Sequence, residues 1–102
     1  MTLNEYQAQA MSFRLPDADD IYALINLSAE VGELHGHIAK AMRDGGVINS
    51  QTVLKELGDI LWHVAAIAED CNFTLAEVAE GNLSKLTGRL HRGTLQGSGD
   101  ER

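Results

Sequence analysis

With 102 residues the chain has room for one hydrophobic core, because domains commonly hold about 100 to 150 residues. Its 15 acidic against 8 basic side chains give a formal charge of -7. A field of that sign repels nucleic-acid backbones and anionic membranes and disfavours both as partners. It also repels an anionic substrate unless cations neutralise it locally, which makes metal ions candidate partners.

Cys71 is the single cysteine. That excludes an intrachain disulfide and a cysteine-based zinc cage, and the flanks DCNF supply no basic neighbour to activate a thiolate, so a structural thiol is expected. The opening MTLNEYQAQA lacks a charged segment followed by an apolar run, and no stretch approaches the roughly 18 apolar residues of a membrane span. A cytoplasmic protein is expected. A domain this small is marginal alone, so a helical version completes its core by oligomerisation, as a homodimer or homotetramer.

In chain order, Thr2 with Glu5 matches a capping box and opens a helix through about Phe13. Pro16 and the acidic DADD interrupt it and cap the next. From Asp19 to Arg43 the apolar residues Ile21, Leu24, Ile25, Leu27, Val31, Leu34, Ile38 and Met42 recur at helical spacing, and Gly45-Gly46 supplies the stop. Ser50 is placed to cap a third helix, whose Val53, Leu54, Leu57, Ile60, Leu61, Val64 and Ile67 form a wide apolar face ending near Cys71. Thr74 with Glu77 is a second capping box and starts a fourth helix, LAEVAEGNLSKLTGRLH. The predicted fold is all-α, a four-helix bundle-like protomer over residues 1–92 with a glycine-rich tail over residues 93–102. That tail reads either as a flexible end or as a segment whose amides and Arg102 fold over a phosphate or a neighbouring subunit.

Two acidic pairs interrupt the apolar pattern. Glu30 and Glu33 lie in AEVGEL, and Glu56 and Asp59 in KELGDILWH. Positions three apart on a helix differ by about 60° around the axis, so each pair is a two-pronged fork on one face. Both forks fall at the edge of an apolar stripe, so packing the second helix on the third brings four carboxylates together. A lone acidic pair is usually a solvated face, whereas two matched pairs on adjoining helices call for protons or bound cations. Hard oxygen donors suit magnesium or manganese. The carboxylate-bridged di-iron bundle needs Glu-x-x-His motifs, and here His37 and His63 follow Glu33 and Asp59 by four residues. Gly32 and Gly58 sit inside the two motifs at a helix cost of about 1 kcal/mol each, which close helix approach or room for a ligand would offset.

The E-x-x-E at Glu30 and Glu33, the E-x-x-D at Glu56 and Asp59, their spacing and the AEVGEL and ELGDILW contexts resemble the MazG-like all-α nucleoside triphosphate pyrophosphohydrolases. The segment NLSKLTGRLHRGTLQGSGDER is similar to the C-terminal part of small bacterial and phage-type members, with an Asn-x-x-Lys-Leu motif before a glycine-rich end. One departure is Ala29, where many members carry a second acid. The resemblance implies magnesium-dependent cleavage of a nucleoside triphosphate, or its deoxy form, between the α and β phosphates to give the monophosphate and pyrophosphate. It implies Glu30, Glu33, Glu56 and Asp59 as metal ligands, with Mn2+ a substitute for Mg2+. Glu33 and Glu56 are the catalytic candidates, and Glu33 is the first choice for the base toward water. Asn82 and Lys85 then face the substrate, with Arg89 and Arg92 extending a basic ridge toward phosphate. Trp62 and His63 beside the second fork have either a packing or a base-binding role. The competing reading is a non-catalytic helical module whose acidic patch binds a basic partner or senses nucleotides.

Overall fold

Each helix begins where a side-chain oxygen accepts a hydrogen bond from an end amide that has no partner within the helix. In a computed structural model, which describes residues 1–102 apart from the side chain of Asp20, these caps are Thr2, Asp19, Asn49 and Thr74. They open α1 (Leu3–Met11), α2 (Asp20–Arg43), α3 (Ser50–Asp70) and α4 (Leu75–Arg92), with no strand among the described residues. The all-α, four-helix prediction holds. At Thr74 the capping box closes in both directions with Glu77.

Three boundaries differ from the sequence pattern. The third helix is capped by Asn49, whose Oδ1 accepts the Gln51 N–H at 2.7 Å, so Ser50 is already helical. The first ends at Met11 rather than Phe13, and the fourth includes Arg92. Gly45 and Gly93 take positive φ just beyond α2 and α4, at 74° and 71°, a conformation that glycine adopts without a Cβ clash.

Helices α2 and α3 form the main hairpin. They run antiparallel, since Asn26 meets His63 near one end and His37 meets Glu56 near the other. Helix α1 packs on α3, where the Trp62 Nε1–H donates to the Ala10 carbonyl at 3.0 Å. It also receives the start of α4: Gln7 Oε1 accepts the Leu75 N–H at 2.7 Å and Asn4 Oδ1 accepts the Ala76 N–H at 3.0 Å. Helix α4 contacts α1 and α3, and among the described residues none of its Cα atoms lies within 8 Å of one in α2.

The protomer is therefore open. Its radius of gyration is 16.5 Å, against about 13 Å for a compact domain of this length. The buried apolar residues are small or few: Ala10, Ala23, Ala65, Ala66, Ala68 and Leu75. Of the three residues predicted to pack in KELGDILWH, Ile60 is partly buried, while Leu57 and Leu61 remain 50% and 39% exposed. Ile21, Leu24 and Ile25 on α2 and Leu54 on α3 are also exposed. Helix α2 has α3 as its one neighbouring helix among the described residues, so one side of its wide apolar face is uncovered, and Leu54, Leu57 and Leu61 lie where the neighbours of α3 do not cover them.

Cys71, expected as a structural thiol, instead caps the C-terminus of α3 and is exposed. The tail turns back on itself and on α4. Arg102 donates through Nε to the Thr94 carbonyl at 3.0 Å and through Nη1 to the Gly99 carbonyl at 2.7 Å, while Arg92 Nη2 donates to the Arg102 carbonyl at 2.7 Å. No helix among the described residues is long and apolar enough to cross a membrane.

Candidate active site

Asn26, Glu30, Glu33 and His37 are spaced by four, three and four residues, so they share one stripe of α2. Glu56, Asp59 and His63 form the corresponding stripe of α3. Because the helices are antiparallel and packed, the stripes meet. Carboxylate oxygens of Glu30, Glu33 and Glu56 lie within 4.8 Å of one another.

Asp59 is outside that group. It is near enough for its charge to act on Glu30 and on Tyr6 of α1. Of the four predicted ligands, the structure brings three together with the fourth alongside.

The electrostatics follow from this crowding. Burial, then the neighbouring charges of Glu33 and Asp59, push the Glu30 carboxyl above its ordinary value; His63 opposes the shift and Glu56 adds to it. Burial and then Asp59 raise the Tyr6 hydroxyl. Glu56 Oε1 meets His37 Nε2 at 3.2 Å, whereas Glu56 Oε2 is buried with no hydrogen-bond partner. An unpartnered buried carboxylate oxygen beside two further carboxylates is unfavourable, and a bound cation would satisfy it. Three hard oxygen donors fit Mg2+ or Mn2+ better than a soft transition metal. Glu30, Glu33 and Glu56 thus fit a divalent metal on donor chemistry and on the orphaned atom.

The α4 residues are arranged differently. Lys85 Nζ lies 3.2 Å from Asp100 Oδ1, and Arg89 Nη2 donates to the Asp100 carbonyl at 3.1 Å and to Oδ1 at 3.3 Å. The Lys85 hydrogen bond and charge, then those of Arg89, hold the Asp100 carboxyl below its ordinary value. Arg89 is buried, with its Nε unpartnered. Asn82 is exposed, and Arg92 is engaged by the tail. Among the described residues α4 and α2 do not pack on each other within one chain, so the basic ridge and the α2 carboxylates stand on helices that are not neighbours.

All eight sequence-predicted site residues lie inside a matched region. Residues 22–93 match the MazG nucleotide pyrophosphohydrolase domain family. The chain belongs to the MazG family. It is also 40% identical over 94 residues to the gene 37 protein of Mycobacterium phage L5, covering 84% of this chain and 82% of that relative. No solved structure matches. In this MazG domain the matched region takes in both acidic motifs and the Asn-x-x-Lys segment but leaves Asp100 and Arg102 outside.

The sequence reading missed four residues around the MazG carboxylates: Asn26, His37, Tyr6 and, in part, His63. The signal for Asn26 was its position four before Glu30 on the same stripe. Tyr6 had none, since it arrives from another helix. Trp62, weighed for base binding, spends its N–H on Ala10 and stands edge-on to His63 with ring centroids 5.0 Å apart, which is a packing role. Gly32 and Gly58 are not explained by close helix approach, because a Cβ at either would meet nothing within 4 Å.

Proposed function

We propose that this chain is a metal-dependent nucleoside triphosphate pyrophosphohydrolase, converting a nucleoside or deoxynucleoside triphosphate to its monophosphate and pyrophosphate. The observation that carries the reading is the group of Glu30, Glu33 and Glu56 with the unpartnered buried Glu56 Oε2. Bound Mg2+, or Mn2+ in its place, supplies charge neutralisation at the triphosphate and a water of lowered pKa. Glu30, Glu33 and Glu56 would hold it, with Asp59 recruited from alongside.

The chain's own residues divide the remaining work. Glu33 is the exposed member of the group and is the best placed to accept a proton from a water at the α phosphorus. Glu56 fixes the inner edge of the site from α3. Lys85, Arg89 and Arg92 bind phosphate oxygens, and Asn82 lies one turn before Lys85 on the same face. In the free chain Asp100 sits on Lys85 and Arg89, so a phosphate group takes the place of a carboxylate already held there.

A second copy completes the site. Ile21, Leu24, Ile25, Leu54 and Leu57 keep half to two-thirds of their surface exposed and would each gain about 1 to 2 kcal/mol on full burial, favouring a homodimer or homotetramer in which α4 of one protomer meets the carboxylates of another. On this reading the enzyme serves nucleotide-pool control in the cytoplasm.

The test is pyrophosphate release from a panel of ribo-, deoxyribo- and modified triphosphates with Mg2+ or Mn2+, alongside the Glu56→Gln and Asp59→Asn variants. Metal-dependent pyrophosphate and monophosphate are expected from wild type and not from either variant. Intact substrates across the panel would instead support the non-catalytic module.

A further inference from the structure

His63 is only 6% exposed, where no large side chain among the described residues is fully buried, and the proposed chemistry leaves it without a task. Its two ring nitrogens are both engaged. Nδ1 lies 2.8 Å from the Asp59 carbonyl, and Nε2 lies 2.9 Å from Asn26 Nδ2. A carbonyl only accepts, so Nδ1 donates to Asp59, and an amide nitrogen only donates, so Nε2 accepts from Asn26.

The Asn26 amide nitrogen has two hydrogens. With one directed to His63, the other is directed toward Glu30 Oε1, a long contact of 3.5 Å. The reverse amide orientation would set Asn26 Oδ1 against a lone pair and a carboxylate together. The chain of contacts therefore runs one way, from Glu30 through Asn26 and His63 to the backbone of Asp59. It links the carboxylate of the first acidic motif to the helix turn that carries the second.

We propose that Asn26 and His63 are positioning residues for the metal site: the buried imidazole orients the Asn26 amide, which holds Glu30 toward Glu33 and Glu56. This rests on the metal reading given above. Neither residue touches the cation or the reacting atoms. Asn26 restricts the Glu30 rotamer by occupying Oε1 and leaves Oε2 for a ligand. Outer-shell hydrogen bonds of this kind typically carry about 10- to 100-fold in metal affinity or activity.

Mn2+ titration of the full chain, read from the electron paramagnetic resonance of the free ion without any substrate, tests the assignment. Thermal melting of each metal-free variant runs beside it. Asn26→Leu is expected to weaken Mn2+ binding by about tenfold or more. His63→Leu should do the same. His63→Gln should recover most of the affinity, because its Oε1 can stand where Nε2 stands and accept from Asn26.

A merely structural pair would instead lower the melting temperature and leave Mn2+ affinity of the folded protein at the wild-type level. That outcome for Asn26→Leu overturns the proposal, as does a His63→Gln variant no better than His63→Leu. If one variant does not fold, the remaining two decide. A wild-type chain that binds no Mn2+ overturns the metal site itself and the positioning role with it, whereas wild-type binding that Asn26→Leu leaves unchanged overturns the positioning role alone.

Discussion

Replacing Glu30 by glutamine separates what its carboxylate costs the empty fold from what it contributes to the metal-bound one. Glu33 and Glu56 each bring a carboxylate oxygen within 4.8 Å of its own. Two unit charges at that distance repel by about 1 kcal/mol in water-like surroundings and by roughly 3 to 4 kcal/mol at an effective dielectric near 20. Glu33 is exposed and Glu30 only partly buried, so the lower figure is a minimum for the two pairs, the pair with the more buried Glu56 lying above it. The amide retains the volume of the side chain and loses at most the long contact with Asn26, worth about 0.5 kcal/mol.

The metal-free Glu30→Gln variant should therefore be more stable by about 1 kcal/mol at pH 7, raising the melting temperature by about 4 to 8 °C. The sign with pH follows from the raised Glu30 carboxyl. The native state holds that proton more tightly than the unfolded chain, so the wild type is relieved below the ordinary glutamate value and penalised as pH rises through the raised one. The advantage of the variant should accordingly vanish in acid. With saturating Mn2+ the order should invert, because wild type gains more from binding. Calorimetric melts of both proteins at pH 4 and pH 7, with chelator and with Mn2+, make the comparison. A variant less stable than wild type in chelator at pH 7, or one that Mn2+ stabilises as much as wild type, would refute the assignment of Glu30 to a repulsive cation site.

Three further outcomes are expected. Gln7→Leu removes the acceptor of the Leu75 N–H and the donor to the Phe73 carbonyl; leaving both unpaired should cost about 2 to 4 kcal/mol in urea unfolding. A loss under 1 kcal/mol would show that α1 does not hold the start of α4. Gly32→Ala should stabilise by about 0.5 to 1 kcal/mol, since a Cβ there meets nothing within 4 Å. If turnover falls while stability rises, the glycine is kept as room for ligand. Asp100→Ala should free Lys85 and Arg89 and tighten inhibition by pyrophosphate several-fold; unchanged inhibition would show that these cations do not take phosphate. Because the Asp100 carboxyl is held below its ordinary value, its contribution to tail docking is complete above that value and is lost only as pH falls through the lowered one.

Much of the fold was legible because helix signals are local. Thr2, Asp19, Thr74 and the glycines after Arg43 mark ends through contacts within a few residues, and the apolar spacing of α2 and α3 needs no partner to be read. Asn49 displaced Ser50 as a cap because both are good caps and only the backbone turn chooses between them. The exposure of the Cys71 thiol is not legible locally, because a cysteine at a helix end packs according to what lies across from it.

The site divides along the same line. The two acidic forks are legible from spacing alone, since positions three apart on a helix share a face whatever surrounds it. Helix packing settles the rest: Glu30, Glu33 and Glu56 meet while Asp59 stands alongside, Asn26 and His63 join them across the α2–α3 interface, and Lys85 and Arg89 pair with Asp100 on a helix that does not pack on α2. Those relations depend on helix register and on separations far along the chain, where the length of a side chain and the path of a connection, rather than local periodicity, set which atoms touch.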